Sequence, residues 1–185
     1  KLYFLDYKTV TIATTRPETI FADVAVAVNP KDKRYKNLVG KKAVLPLVGR
    51  ELSIIPDSLV DIDFGTGALK ITPGHDATDF EIGKKHNLPI INDIDEEGKM
   101  INTPSKYIGL KAQKAREEVV KDLEAAKKIV KVKDIKHFVG ICYKDKGLIE
   151  PKISKQWFIK VKPLAQAALS AIQKRQVRFP VKSGY

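Results

Sequence analysis

The stretch from Gly65 to Phe80 most tightly restricts how this chain can fold, because a buried strand, a chain break and a polar helix start follow one another there. Ala68, Leu69 and Ile71 read as a short buried strand, Pro73-Gly74 ends it, and Asp76 to His86 has helical spacing with Phe80, Ile82 and Gly83 facing inward. Side chains alternate across a strand, so Lys70 and Thr72 share its other face. If the turn folds back, Lys70, Thr72, Asp76 and Asp79 converge on a small polar pocket. Two readings of the carboxylates stand side by side. Asp76 suits a helix N-cap, Asp79 a first-turn position near the helix dipole, and Thr78 with Glu81 a capping box; the same residues also suit ligand binding. His75 reads as an oriented polar histidine rather than a metal ligand. Gly65-Thr66-Gly67 lacks the third glycine of a dinucleotide fingerprint and the Gly-Lys-Ser/Thr of a P-loop, so no phosphate cradle is expected.

The remaining chain supplies short strands punctuated by Gly and Pro. Thr9 to Thr14 alternates β-branched residues and runs into Thr15-Arg16-Pro17-Glu18-Thr19, where Pro17 suits the first position of a short helix. That places Arg16 and Thr19 at a second strand end. Val24–Val28, Ala43–Leu47 and Leu52–Ile55 read as further strands, and together they predict an α/β fold with a β-barrel-like curled sheet flanked by helices. Asp93 to Gly98 has the opening of a calcium loop, but Pro104 stands where a bidentate glutamate is required, so a hairpin turn is expected there. Leu110–Ile129 is the clearest helix, with Ala115, Val119, Leu123 and Ala126 as the apolar stripe and the sheet as its partner. Strands are predicted at Phe138–Tyr143, Ile149–Pro151 and Gln156–Val161, then a helix over Pro163–Lys174. Trp157 and Phe158 read as core or interdomain packing rather than a base-stacking platform.

Charge narrows the partners. With 34 Lys and Arg against 22 Asp and Glu, the net charge is +12, which favours a polyanionic partner such as nucleic acid. Residues 151–185 carry Lys152, Lys155, Lys160, Lys162, Lys174, Arg175, Arg178 and Lys182 and no acidic residue. A single cysteine, Cys142, rules out an internal disulfide and a multi-cysteine metal site, and points to a reducing compartment. No apolar run approaches the roughly 18 residues of a membrane span. Lys1-Leu2-Tyr3-Phe4-Leu5-Asp6 reads as the middle of a chain, so one domain over 1–185, excised from a longer protein, is expected.

Four motifs in register carry a resemblance: Thr14–Thr19, Phe64–Phe80, Gly83–Pro89, and Ile149-Glu150-Pro151 with Ser154–Trp157. In this order they resemble the editing insertion of valyl-tRNA synthetases. Leucyl insertions share the Thr-Thr-Arg-Pro opening but place aspartate where this chain has Glu18, and isoleucyl ones tend to have Thr-Pro-Trp-Thr. Thr15-Arg16-Pro17-Glu18 and Lys70-Ile71-Thr72 therefore favour the valyl type.

The resemblance implies an α/β domain that hydrolyses the ester of a wrongly charged tRNA, with threonyl-tRNA(Val) as the substrate. Threonine and valine are nearly isosteric, and valyl-tRNA synthetase is itself the established example of an apolar pocket that rejects the added hydroxyl by only about a hundredfold. A second, polar site can read that hydroxyl, for which Lys70, Thr72 and Asp76 are suited. By the same resemblance Asp79 pairs with the α-ammonium beside Asp76. Arg16 and Thr19 line the pocket at the ester and terminal adenosine, Thr15 and His75 join the substrate-binding set, and Lys70 favours negative charge developing on the carbonyl oxygen. Lys70 and Asp79 are thus the catalytic candidates, with water as nucleophile. Implied partners are the acceptor end of tRNA(Val) and the rest of the synthetase chain, toward which 151–185 returns; no membrane, cofactor or metal is implied, and the isolated domain is expected to be a cytoplasmic monomer. The Cys-x-x-Cys found in many relatives is missing after Cys142, which argues against a structural zinc. The ATP-binding signatures are absent too, so valine activation is not expected. A catalytically inert acceptor-end binding module and an isoleucyl or leucyl editing specificity are the alternatives.

Overall fold

The computed structural model describes residues 1–177 apart from 137, 145, 148 and 150. The described chain separates into two compact units, Lys1–Ile153 and the part of Ser154–Tyr185 up to residue 177. In the first unit, seven strands form two open sheets. The first places β1 (Leu2–Asp6) between β2 (Thr11–Thr14) and β7 (Ile129–Lys133), antiparallel to both. The second has the order β4 (Lys42–Val44), β5 (Glu51–Pro56), β3 (Ala25–Val28), β6 (Ala68–Ile71), with β3 parallel to β5 and antiparallel to β6. β2 and β6 touch across the gap without pairing, so the described strands curl toward each other but do not close into one barrel.

β3 explains the layering. All four of its residues are buried, which requires cover on both faces. Val26 and Val28 enter a large core with Leu5, Tyr7, Ile12, Phe21, Leu52, Ile54 and Met100, while Ala25 and Ala27 face a small one with Val60, Ile71 and Ile82. Alanines on the second face let helix α1 (Ala77–Lys85) approach closely through Ile82. Helix α1 buries Asp79, Ile82 and Gly83, whereas Phe80, expected inside, is half-buried. Its cap is Asp76, whose Oδ1 accepts from the amides of Thr78 (2.8 Å) and Asp79 (3.0 Å), so the Thr78–Glu81 box is not what starts it.

Helix α2 (Ala112–Ala125) buries Ala112, Ala115, Val119 and Leu123, and Ala126 is its exposed cap. It docks on the 3-10 helix Pro17–Ala22, whose six residues are all buried, rather than on the sheet alone. Asp93–Gly98 forms the expected hairpin turn, closed by Asp95 N–H to Lys99 O at 2.8 Å and the Ile94–Met100 bridge.

Three strand expectations fail. Residues 138–143 hold no regular strand; the chain turns instead, with Cys142 N–H to Gly147 O at 2.8 Å. Ile149–Pro151 is irregular where described, Glu150 lying outside the described residues. Gln156–Ile159 holds no regular strand, and helix α3 (Val161–Gln173) begins two residues before Pro163, with no buried residue. Trp157 and Phe158 are fully or almost fully exposed, so neither packs in a core of this chain. Arg178 and Lys182 lie outside the described residues. No described helix is long and apolar enough to cross a membrane.

Candidate functional site

A cavity of about 680 Å³ opens where β2 and β6 meet, and all eight side chains singled out from sequence line it: Thr15, Arg16, Thr19, Lys70, Thr72, His75, Asp76 and Asp79. The local reason is the pair of strand ends. β2 ends at Thr14 and the chain enters the 3-10 helix through Arg16-Pro17; β6 ends at Ile71 and enters α1 through Pro73-Gly74. The two breaks face each other. Arg16 Nη1 reaches across to donate to the His75 carbonyl at 3.3 Å. Gly74 makes the second turn possible, since a Cβ there would stand 2.4 Å from both Asn92 Oδ1 and the Ile91 carbonyl.

The cavity floor is a closed polar network. Lys70 and Thr72 point to the side of β6 that holds the large core, so their polar atoms need partners there. Lys70 Nζ donates to Thr19 Oγ1 (3.0 Å), Asp23 Oδ1 (3.1 Å) and Thr72 Oγ1 (2.5 Å). That engages all three of its hydrogens. Thr72 Oγ1 donates to Asp23 Oδ1 at 2.8 Å, Tyr7 Oη donates to Asp23 Oδ2 at 2.6 Å, and Thr19 Oγ1 donates to the Arg16 carbonyl at 3.1 Å. Burial pushes the Asp23 carboxyl up from its ordinary value, and the Lys70 ammonium and Tyr7 hydroxyl oppose that. Three donors converging on one carboxyl group fit the ionised form.

Asp79 sits at the other side of the floor, 5% exposed. Its Oδ2 accepts the Thr72 amide at 2.9 Å. Desolvation pushes its pKa up to about 7, against the pull of Lys70 and the Thr72 amide and with help from Asp76 and Asp23. A carboxyl held in this way becomes a strong partner for a cation entering the cavity.

The wall above is built from a second network. Glu18 is fully buried and accepts from Arg116 Nε (2.8 Å) and Nη2 (2.6 Å) on α2 and from Arg16 Nε (3.3 Å). Arg116 also lines the cavity. His75 is turned away from a purely ligand-facing role, with Nε2 2.7 Å from Asp93 Oδ1. The Asp93 amide points at the same nitrogen at 3.1 Å. One nitrogen cannot serve both, and the fully buried carboxylate, with no other hydrogen-bond partner among the described residues, has the stronger claim on a donated hydrogen.

Sequence reading missed Tyr7, Asp23, Glu18, Arg116 and Asp93 as members of the site. For Asp23 a signal existed: a lone acid between Ile20-Phe21-Ala22 and Val24–Val28 is too deep in apolar sequence to lack a buried cation. For Arg116 none existed, because it reaches Glu18 across 98 positions.

A family model described as "Leucyl-tRNA synthetase, editing domain" matches residues 31–133. The valine–tRNA ligase of Fusobacterium nucleatum is 52% identical over 168 residues, covering 91% of this chain and 19% of that protein. That of Thermotoga maritima is 48% identical over 185 residues, covering 97% and 21%. The chain thus spans about a fifth of the length of these relatives. The crystal structure of GlLeuRS-CP1 shares the fold, with a TM-score of 0.53 at 12% identity over 68% of this chain and 84% of that one. A family match over more than half of the chain, joined to relatives of about half identity across nine-tenths of it, means that the chain belongs to the aminoacyl-tRNA synthetase editing domains, in the valyl-tRNA synthetase branch.

Proposed function

We propose that the cavity hydrolyses the ester of threonyl-tRNA(Val). The observation that carries this reading is the meeting of Asp79 with the Lys70–Thr72–Thr19 floor in a single cavity that Arg16 borders. Asp79 pairs with the α-ammonium of the aminoacyl group, Asp76 adding negative charge at the rim. The threonine side chain lies on the polar floor. A valine there would leave buried polar atoms without partners, at about 1–3 kcal/mol for each group. Thr15, Arg16 and the adjoining wall meet the ester and terminal adenosine. His75, anchored through Asp93, holds the turn whose carbonyl Arg16 grips.

Water attacks the ester carbonyl, and the alcohol of the terminal ribose leaves. Lys70 acts on the oxyanion as a fixed charge rather than as a hydrogen-bond donor, because its hydrogens are already engaged. The basic segment 151–185 runs back toward the synthetase body and meets tRNA phosphates, and the reaction belongs to the cytoplasm, where tRNA is charged.

The test is deacylation of threonyl-tRNA(Val) by the 185-residue chain and by the full synthetase, with valyl-, isoleucyl- and leucyl-tRNA as controls. Threonyl ester should be released selectively, and Asp79→Ala should reduce kcat/KM by at least about a hundredfold, as losing a charge-paired anchor implies. Binding without turnover in both proteins would turn the reading into that of an acceptor-end binding module.

A further inference from the structure

The floor network fixes the direction of every hydrogen bond in it. Lys70 commits its three hydrogens to Thr19, Asp23 and Thr72. The Thr72 hydroxyl hydrogen goes to Asp23 and the Thr19 hydroxyl hydrogen to the Arg16 carbonyl. Each threonine oxygen accepts once from Lys70 and keeps a free lone pair. Asp79, ionised once it pairs with the α-ammonium of the bound aminoacyl group, offers carboxylate lone pairs beside them. Facing the cavity, therefore, stand acceptors and no side-chain hydrogen from these four residues. Asp23 causes this, since it draws one hydrogen from Lys70 and one from Thr72 while Tyr7 Oη satisfies its second oxygen. Both Asp23 and Tyr7 are fully buried and neither lines the cavity, so they act only through the residues that do.

We propose that Asp23, backed by Tyr7, is a positioning residue that sets the polarity of the floor, so that the site selects a side chain able to donate a hydrogen bond rather than any polar side chain. The inference rests on the reading that the cavity takes an aminoacyl ester. Threonine qualifies because its hydroxyl donates to a lone pair of Thr72, Thr19 or Asp79. A group of similar size that can only accept, such as a carbon-bound fluorine, meets lone pairs with lone pairs and is treated like valine's methyl.

The experiment compares tRNA(Val) acylated with threonine, with 2-amino-3-fluorobutyrate and with valine, each rate divided by its uncatalysed hydrolysis. In the wild-type chain the fluoro ester should be cleaved at least about tenfold more slowly than the threonyl ester and should fall with the valyl ester. Asp23→Ala returns a hydrogen to Thr72 and one to Lys70, so its threonyl-to-fluoro ratio should drop toward one. Asp23→Asn can keep its amide oxygen where Oδ1 stands and turn its nitrogen to Tyr7 Oη, so its ratio should stay near the wild-type value. A merely structural role for Asp23 would lower all three rates together and leave the ratio alone. Should Asp23→Ala not fold, the wild-type series still decides. A wild-type fluoro rate within threefold of the threonyl rate, or an unchanged ratio in folded Asp23→Ala, overturns the proposal. Failure to cleave the threonyl ester at all overturns the underlying reading instead.

Discussion

Asp79 carries the sharpest consequence of burial at a single residue. Its folded pKa of about 7 stands above the ordinary carboxylate value of 3.8, so the fold tolerates the protonated form better than the ionised one. The contribution to stability is complete below the unfolded pKa and is lost as pH rises through about 7. Asp79→Asn, which cannot ionise, should therefore melt at a higher temperature than the wild type, by more at pH 8 than at pH 5. A gap independent of pH would mean that Asp79 is solvated. The same variant should lose deacylation, separating what the fold prefers from what the site needs. Gly74 is the complementary case. An added Cβ would stand 2.4 Å from Asn92 Oδ1 and the Ile91 carbonyl, and backbone cannot retreat as a side-chain tip can. Gly74→Ala should cost about 1–3 kcal/mol in denaturant unfolding, as overpacking does. A neutral result would show that the 91–92 segment moves freely.

Among the elements, the pairing of α2 with the 3-10 helix is the least visible in sequence and the most consequential for the wall of the site. Arg116 and Arg16 share the buried Glu18, so a helix from the second half of the first unit steadies the Thr-Thr-Arg-Pro turn. Removing one partner of a buried pair typically costs about 3–5 kcal/mol. Arg116 is 35% exposed and Arg16 would remain, so Arg116→Ala should cost less, about 2 kcal/mol. Its effect should shrink in a Glu18→Gln background, a double-mutant cycle that strictly additive losses would contradict. Arg116→Lys keeps charge but not the two parallel N–H donors, and should recover only part of the loss. Periodicity foretold α2 itself and its stripe of Ala115, Val119 and Leu123, because a helix records its buried face every three to four residues. Which element that stripe would meet was not recorded. The strands expected at 138–143 and 156–161 show the opposite error: β-branched and aromatic residues raise strand propensity, but a strand exists only where a neighbour completes its ladder.

At the scale of the molecule, charge and fold act on different parts of the chain. The net charge of +12 is concentrated in residues 151–185, which hold eight basic side chains and no acidic one. If that segment meets tRNA phosphates, the affinity of the chain for tRNA(Val) should fall steeply between low and physiological salt. Deleting residues 154–185 should flatten the slope of log affinity against log salt by about one unit for each phosphate no longer neutralised. An identical slope would confine tRNA binding to the first unit. The punctuation of this protein is legible in its residues alone: the strand ends at Thr14 and Ile71, the breaks at Pro17 and Pro73-Gly74, the cap at Asp76 and the branch of the family, since these depend on local backbone geometry and on motifs that neighbours in sequence complete. Folding in three dimensions is what brings the two breaks to one cavity, leaves Lys70 no hydrogen to give, and sets Asp23, Tyr7, Glu18 and Arg116 behind the lining or within it. Those facts arise from desolvation: a buried charge takes whatever partner the fold brings to it, and partners 47 or 98 positions away leave no local trace in the sequence.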